Sequence, residues 1–268
     1  MPSFSTSCCS DFTGDYDLNA HPVFRAVERE VLGCSYGGTS WTTREQADAI
    51  AGELSLGPHS HLLEIGSGAG WPGVYVAGQA GCHLTMLDLP LNALARARNA
   101  AEDDLAGNTT VLQASGAALP LRDATADAIA HSDVLCCLAE KREMLAECRR
   151  VLRPGGRMLF YVIAPAEDLR GDDLIEAREA GPPFVELPGD YRSLLRKTGW
   201  QSGPPLDLTE DYLGTLQRMV ESLQSHAADL RDCLGDAEFD ETLERRRRQV
   251  AAVQRGLLVR ERYLAVTA

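Results

Sequence analysis

The sequence has no apolar run that approaches the about 20 residues that a bilayer-spanning helix needs. Its first residues also lack the basic region followed by an apolar region that marks a secretory leader. These absences predict a protein without membrane association, and we expect a cytoplasmic location.

Basic residues are outnumbered by acidic ones. The chain of 268 residues carries 26 Lys and Arg against 39 Asp and Glu, a formal net charge of −13. Because an acidic surface repels phosphate backbones, we expect no nucleic-acid partner. The basic stretch at residues 245–248 consists of consecutive arginines that follow Asp240, Glu241 and Glu244 at helical spacing. We interpret it as a solvated helix face with acidic partners one turn away.

The eight cysteines include no Cys-x-x-Cys pair, and no histidine stands beside them at zinc-ligand spacing. The sequence therefore predicts no metal site. A free thiol in an apolar segment behaves as a small core side chain. The cysteines in such segments are Cys82, Cys136, Cys137 and Cys148. The adjacent pair Cys8-Cys9 falls in the polar N-terminal segment.

The spacing of apolar residues predicts the organisation of the chain. Residues 1–17 are polar and predict a loose, flexible arm, whereas residues 18–58 predict N-terminal helices. Short apolar strands alternate with helices over residues 59–207, a pattern typical of βαβ units in a parallel sheet. Residues 208–256 predict an inserted helical lid, and residues 257–268 predict a final strand. We expect residues 18–268 to form a single α/β domain.

A glycine-rich turn follows the first predicted strand. Gly66, Gly68 and Gly70 lead into a helix, and such glycines let a ligand approach the backbone and the free N–H groups of the helix. Asp88 ends the next predicted strand, where an acidic residue binds the ribose hydroxyls of an adenosyl ligand or, alternatively, caps the next helix. Glu64 lies inside an apolar strand, where an unpaired carboxylate is costly.

Four motifs occur in a fixed order along the chain. They are Leu63-Glu64-Ile65-Gly66-Ser67-Gly68-Ala69-Gly70, then Asp88, then Ala118-Leu119-Pro120-Leu121, then Leu152-Arg153-Pro154-Gly155-Gly156. In these motifs the sequence resembles the class I S-adenosyl-L-methionine-dependent methyltransferases, most closely the branch with ubiquinone-type and sarcosine-type small-molecule enzymes. The resemblance covers residues 61–163 well and the flanks more loosely.

The resemblance implies a Rossmann-like α/β fold. Its sheet would have seven mostly parallel strands with the last strand antiparallel. It also implies methyl transfer from S-adenosyl-L-methionine to a small-molecule acceptor by in-line displacement without a metal, with S-adenosyl-L-homocysteine as product. The accepting atom, whether oxygen, nitrogen or carbon, and a homodimeric state are left open.

The resemblance further implies a set of cofactor-binding residues. Serine stands at position 115 where family members often carry aspartate, which weakens the expected bond to the adenine amino group. Tyr36 and Trp41 have an alternative interpretation as anchors of the N-terminal helices. The expected cofactor-binding residues are Tyr36, Trp41, Glu64, Gly66, Ser67, Gly68, Asp88, Leu89, Ser115, Gly116, Ala117, Ser132, Asp133 and Val134.

A general base helps methyl transfer when the acceptor is a hydroxyl or an acidic carbon. His131 and Asp133, at the end of the fourth predicted strand, are the candidate catalytic residues, and His226 in the lid is a weaker one. His131 is alternatively a structural histidine bonded to the backbone, and Asp133 is alternatively a contact of the cofactor.

Two other functions stay open. Gly66, Gly68 and Gly73 are spaced somewhat like a dinucleotide fingerprint, which is typical of an NAD-dependent oxidoreductase. Glu64 opposes that function, because a small apolar residue usually precedes an NAD-binding turn. A non-catalytic protein that binds S-adenosyl-L-methionine would carry the same residues.

Overall fold

A computed structural model describes residues 9–105, 107–187 and 189–267 and, within these ranges, the side chains from residue 14 onward. Three helices precede the sheet, namely α1 (Cys9–Asn19), α2 (Pro22–Leu32) and α3 (Arg44–Glu53). Helix α2 ends at Gly33, whose φ of +75° is left-handed and suits glycine. The Thr43 side chain accepts a hydrogen bond from the Gln46 amide and caps α3.

Residues 9–17 form α1 where the polar composition predicts a loose arm. Residues 1–8 of that arm, with Cys8, lie outside the described residues. Tyr16 anchors the helix, because its side chain is buried against Ala69 and Ala93. The Arg96 guanidinium also donates to the Tyr16 carbonyl oxygen. One buried aromatic side chain thus holds a segment whose average composition favours solvent.

The rest of the chain alternates strands and helices, and then adds a helical block before the last strand. The first part comprises β1 (His61–Ile65), α4 (Gly73–Ala80), β2 (His83–Asp88), α5 (Leu91–Leu105), β3 (Thr109–Gln113), β4 (Ala126–Ser132), α6 (Lys141–Val151) and β5 (Leu152–Pro165). The second part comprises α7 (Gly171–Ala180), α8 (Tyr191–Lys197), β6 (Trp200–Ser202), β7 (Leu206–Asp207), α9 (Thr209–Ser225), α10 (Ala227–Leu234), α11 (Asp236–Gln254) and β8 (Leu258–Thr267). Of the described helices, none is both long and apolar enough to cross a membrane.

The sheet has the strand order β3-β2-β1-β4-β5-β8-β6. The strands β1 to β5 pair in parallel, and β8 runs antiparallel to both β5 and β6. This arrangement confirms the predicted mostly parallel, Rossmann-like sheet with an antiparallel last strand. The direction in which successive strands are added reverses between β1 and β4. The carboxyl ends of these two strands therefore lie at the point where open α/β sheets bind ligands.

The described part of the chain forms eight strands, so the predicted count of seven is wrong. The additional strand is the short β7, where Leu206 lies opposite Arg262 of β8. β6 pairs with the same side of β8 nearer its end, where Trp200 lies opposite Thr267. Two consecutive prolines separate β6 from β7. Because proline has no N–H to donate, the ladder breaks there and one sheet edge forms two strands.

Helices cover both faces of the sheet. Leu62 and Leu84 are buried on the face against α4 and α5, whereas Leu63 and Ile129 are buried on the face against α6. Successive residues of a strand point to opposite faces, so both faces must be apolar in a sheet that is covered twice. This explains the continuous apolar runs of the strands.

Candidate active site

The glycine turn connects β1 to α4 over residues 66–70. The Gly66 amide donates to the Leu87 carbonyl oxygen at 2.7 Å, which ties the turn to β2. Gly66 and Gly68 have φ of +66° and +51°. A Cβ on Gly66 would lie 2.3 Å from Val134 Cγ2, and one on Gly68 would lie 2.6 Å from the Tyr16 hydroxyl oxygen. Both positions therefore require glycine for conformation and for space.

Asp88 lies at the carboxyl end of β2, directly beside the turn. Its Oδ2 accepts a hydrogen bond from the Gly68 amide at 2.7 Å, and its Oδ1 accepts one from the Leu89 amide at 2.7 Å. Burial raises the pKa of the Asp88 carboxyl above its usual value, while the two amide bonds oppose that shift. Each oxygen keeps a lone pair for a further donor.

A cavity of about 810 Å³ lies over the carboxyl ends of the parallel strands. Its floor is the glycine turn and the loops after β2, β3 and β4, and its opposite wall comes from α2, α9 and α11. The structure brings most of the expected cofactor-binding residues to this cavity. Those that line it are Trp41, Gly66, Ser67, Gly68, Asp88, Leu89, Ser115, Gly116, Ser132, Asp133 and Val134.

Three of the expected cofactor-binding residues, Tyr36, Glu64 and Ala117, do not line the cavity. The Tyr36 ring packs on Trp71 with centroids 5.3 Å apart, and its hydroxyl donates to Asp104 at 3.4 Å. These contacts agree with the alternative interpretation of Tyr36 as an anchor of the N-terminal segment, and its role toward a cofactor stays a prediction. The Ala117 amide donates to Ser115 Oγ at 3.2 Å and shapes the loop after β3.

Glu64 lies beneath the glycine turn. It is 2% exposed, and its Oε1 accepts a hydrogen bond from the Gly73 amide at 2.9 Å. Its Oε2 has no hydrogen-bond partner among the described residues. Burial raises the pKa of this carboxyl to about 8, so most of it is protonated at neutral pH. Glu64 holds the first turn of α4 and does not line the cavity, and its role toward a cofactor stays a prediction.

We expect Glu64→Gln to gain stability relative to the wild type as the pH rises from 5.5 to 8. The pKa of Glu64 in the folded state lies above its value in the unfolded state, so the wild type loses stability as the pH rises through this window. The glutamine side chain does not titrate, so the variant has no such loss. The gain should exceed about 1 kcal/mol, since one pKa unit corresponds to about 1.4 kcal/mol. Thermal melts of the ligand-free protein measure it. The control is the exposed Glu102→Gln, and a Glu64→Gln curve parallel to the wild type across this window would refute the shift.

The candidate bases lie in three different environments. His131 is 1% exposed, its ring stacks on Phe160 at 4.8 Å between centroids, and burial lowers its pKa to about 3. It does not line the cavity, and neither ring nitrogen has a partner among the described residues. His226 Nε2 lies 2.9 Å from Glu30 Oε1, also outside the cavity lining. The histidine expected to act as a base is therefore a buried, neutral core residue.

Replacing His131 with leucine is expected to leave the methyl transfer that the resemblance implies unchanged. Stability should stay constant or rise by up to about 3 kcal/mol, because the variant removes two buried ring nitrogens without partners. Steady-state kinetics and a thermal melt test both parts. A loss of turnover with unchanged stability would return His131 to the list of catalytic residues.

Asp133 is held in a buried ion pair. Its Oδ1 and Oδ2 accept hydrogen bonds from Arg260 Nε at 3.2 Å and Nη2 at 3.0 Å. Oδ2 also accepts from the Trp41 amide at 3.3 Å. The backbone of Asp133 has a φ of +58°, a left-handed conformation that aspartate tolerates better than most residues. A carboxylate with these partners positions the cavity wall and is poorly placed to act as a base.

Arg260 of β8 organises this side of the cavity, and the sequence does not single it out. Its Nη1 donates to the Trp41 carbonyl oxygen and to Gln46 Oε1, both at 3.1 Å. Its Nη2 also reaches Thr42 Oγ1 at 3.4 Å. One guanidinium thus joins the last strand, the loop before α3 and the end of β4.

Arg245 and Arg246 line the cavity, and Arg246 is half-buried there, so the interpretation of residues 245–248 as a solvated face is wrong for Arg246. Arg247 follows that interpretation, since it forms an ion pair with Glu244. Helical periodicity gives no signal here, because a four-residue arginine run presents charge on every side of the helix. Tyr16 of α1 also lines the cavity, and the sequence does not single it out.

Among the described side chains, those of Cys34, Cys82, Cys136 and Cys148 are buried, and those of Cys137 and Cys233 are half-buried. Cys137 lines the cavity. No group of three or more His, Cys, Asp or Glu side chains in this part of the chain could hold a metal ion.

Residues 63–160 match the family model described as Methyltransferase domain. The glycine/sarcosine/dimethylglycine N-methyltransferase of Actinopolyspora halophila is 28% identical over 195 residues, which make up 70% of this chain but only 34% of that enzyme. The 27-O-demethylrifamycin SV methyltransferase of Amycolatopsis mediterranei is 25% identical over 208 residues, 76% of each protein.

The fold also has close neighbours among solved structures. Phosphoethanolamine N-methyltransferase 2 of Haemonchus contortus, in complex with S-adenosyl-L-methionine, superposes with a TM-score of 0.80 at 15% identity. The superposition covers 100% of this chain and 61% of that one. At this identity the likeness shows a shared fold.

Proposed function

We propose that the chain is a class I S-adenosyl-L-methionine-dependent methyltransferase, which transfers the methyl group to a small molecule held in the 810 Å³ cavity. The observation that carries this proposal is the continuity of the cavity. The glycine turn and Asp88 line one end, and the lid helices α9 and α11 line the other. The NAD-dependent alternative is not favoured, because the segment matched by the methyltransferase family contains the entire turn and Asp88.

The residues at the turn fit an adenosyl cofactor. The Ser67 hydroxyl is buried and has no partner among the described residues, yet it lines the cavity and offers a contact for the methionine portion. The free lone pairs of Asp88 would accept from the two ribose hydroxyls. Ser115 and Gly116 would border the adenine. A Cβ on Gly116 would lie only 2.8 Å from Ile65 Cγ2, so the loop packs too closely there to accept a side chain.

S-adenosyl-L-methionine supplies an activated methyl group with a good leaving group. The protein must therefore hold the acceptor atom in line with that methyl carbon and exclude water. Ser132 and Val134 at the end of β4 and Trp41 form the wall where the two ligands would meet. The buried Asp133–Arg260 pair fixes this wall, and Met219 and Leu223 of α9 cover it with apolar surface. The relatives methylate nitrogen or oxygen according to their names, and the accepting atom here stays open.

Binding and turnover test the proposal separately. Isothermal titration should show binding of S-adenosyl-L-homocysteine and no binding of NADH, whereas binding of NADH alone would refute it. Release of S-adenosyl-L-homocysteine should then be measured with a panel of small amines, alcohols and acidic carbon compounds. Cofactor binding with no turnover across the panel would support the non-catalytic alternative.

A further inference from the structure

Two arginines of α11, Arg245 and Arg246, line the wall of the cavity opposite the glycine turn. The Arg246 guanidinium lies over the Trp41 ring, 5.0 Å from its centroid. Its Nη1 donates to Oε1 of the buried Gln249 at 2.8 Å. Arg245 lies beside it and adds a second positive charge. Among the described residues, neither arginine forms an ion pair with a carboxylate.

Three of the carboxylates that line the cavity already have hydrogen-bond or ion-pair partners. Asp133 is paired with Arg260, and Asp88 accepts two backbone amides at the cofactor end. Glu28 accepts hydrogen bonds from the Gly37 and Gly38 amides at 2.7 and 3.2 Å. Of the other acidic residues of the lining, Glu179 and Glu238 are exposed, and Asp15 attracts Arg246 electrostatically.

The positive charge of Arg246 is therefore only partly balanced by its neighbours. An aromatic face and an amide oxygen stabilise a guanidinium less than a carboxylate does, because they carry no net charge. Burial, followed by repulsion from Arg245, lowers the pKa of Arg246 to about 10, so the side chain stays charged at neutral pH. Several of its five N–H donors remain available to a ligand.

The position of Arg246 relates it to the transfer site. Trp41 lies between Arg246 and the proposed transfer site at the end of β4, since its ring contacts Arg246 and its amide donates to Asp133. An acceptor bound to Arg246 would thus extend past the Trp41 ring toward Ser132 and Val134. The anchoring group and the accepting atom would lie at opposite ends of a small molecule.

We propose that the methyl acceptor carries a carboxylate that Arg246 binds, with Arg245 adding to the attraction, so that the substrate class is small carboxylic acids. This inference rests on the proposed methyltransferase function. The planar guanidinium matches a carboxylate through paired hydrogen bonds. A singly charged carboxylate also suits a protein of net charge −13 better than a doubly charged phosphate ester, which the acidic surface repels more strongly.

The test uses the full chain saturated with S-adenosyl-L-homocysteine. Small carboxylates with aliphatic, aromatic and amino-acid frames are each compared with the matching carboxamide and the matching phosphate monoester, by thermal shift and titration. We expect at least one carboxylate to bind while its carboxamide does not. Arg246→Met should weaken that binding by about tenfold or more, and Arg246→Lys should restore part of it. The control is Arg248→Met, an exposed residue of the same run that does not line the cavity.

The outcomes separate the two proposals. Unchanged binding of S-adenosyl-L-homocysteine to Arg246→Met shows that the variant is folded and that the cofactor site is intact. If no carboxylate binds, if carboxamides bind equally well, or if phosphate monoesters bind more tightly, the carboxylate proposal is overturned while the methyltransferase function stands. If S-adenosyl-L-homocysteine fails to bind the wild type, the methyltransferase function itself fails.

Discussion

Replacing Arg260 with methionine is expected to lower the free energy of unfolding by about 3–5 kcal/mol, because the variant leaves Asp133 charged and buried without its partner. The Arg260 side chain is 1% exposed and that of Asp133 is 9% exposed, so water replaces the lost bonds poorly. The same substitution frees the Trp41 carbonyl oxygen and Gln46 from their shared donor. The midpoint of thermal unfolding should fall by about 6–20 °C, and calorimetry measures it.

The matched control is Arg262→Met, two residues further along the same strand. Arg262 pairs with Glu53, but their side chains are 20% and 26% exposed, so we expect a loss of about 1 kcal/mol or less. The double variant Asp133→Asn with Arg260→Met should recover part of the loss by removing the unpaired charge. Equal losses for Arg260→Met and Arg262→Met would show that the buried pair has no special role.

Asp88→Ala is expected to weaken binding of S-adenosyl-L-homocysteine by about a hundredfold or more. In the proposed role of Asp88 the variant would remove two charge-assisted hydrogen bonds to the ribose, each worth about 1.5–3 kcal/mol. It also removes the carboxylate oxygens that accept hydrogen bonds from the Gly68 and Leu89 amides and thereby order the glycine turn. Isothermal titration gives the affinity, and turnover should fall at any cofactor concentration below saturation.

Two controls separate ribose binding from general damage. Asp103→Ala changes an exposed carboxylate on α5 and should leave the affinity unchanged. Asp88→Asn keeps one acceptor oxygen and should give an intermediate affinity. A thermal melt of ligand-free Asp88→Ala reports the cost of the two lost amide bonds. If its affinity for the cofactor product stays within twofold of the wild type, Asp88 does not hold the ribose.

The parallel sheet and its glycine turn could be predicted because their signals are local. Short apolar runs that alternate with helices identify buried parallel strands, and the structure confirms them. Gly66 and Gly68 need positive φ and free space at the end of β1, which is a requirement of the backbone itself. The eighth strand escaped prediction because β7 has two residues and exists only through its pairing with β8.

The direction of a side chain is harder to predict than the strand that carries it. His131 and Ser132 are neighbours at the end of β4, yet His131 lies in the core and Ser132 lines the cavity. Glu64 similarly lies under the turn that it precedes. A sequence motif places such residues within a few ångströms of a ligand without deciding which of two faces they occupy.

The sequence by itself determined the α/β class, the glycine turn and the position of Asp88, because each depends on residues that lie close together along the chain. Only the tertiary structure decided the partners of the charged side chains. Arg260 meets Asp133 across 127 positions, and Arg246 meets Trp41 across more than 200. Periodicity records which residues share a face of one element, whereas the packing of β8 and α11 onto the rest of the domain decides what those faces contact.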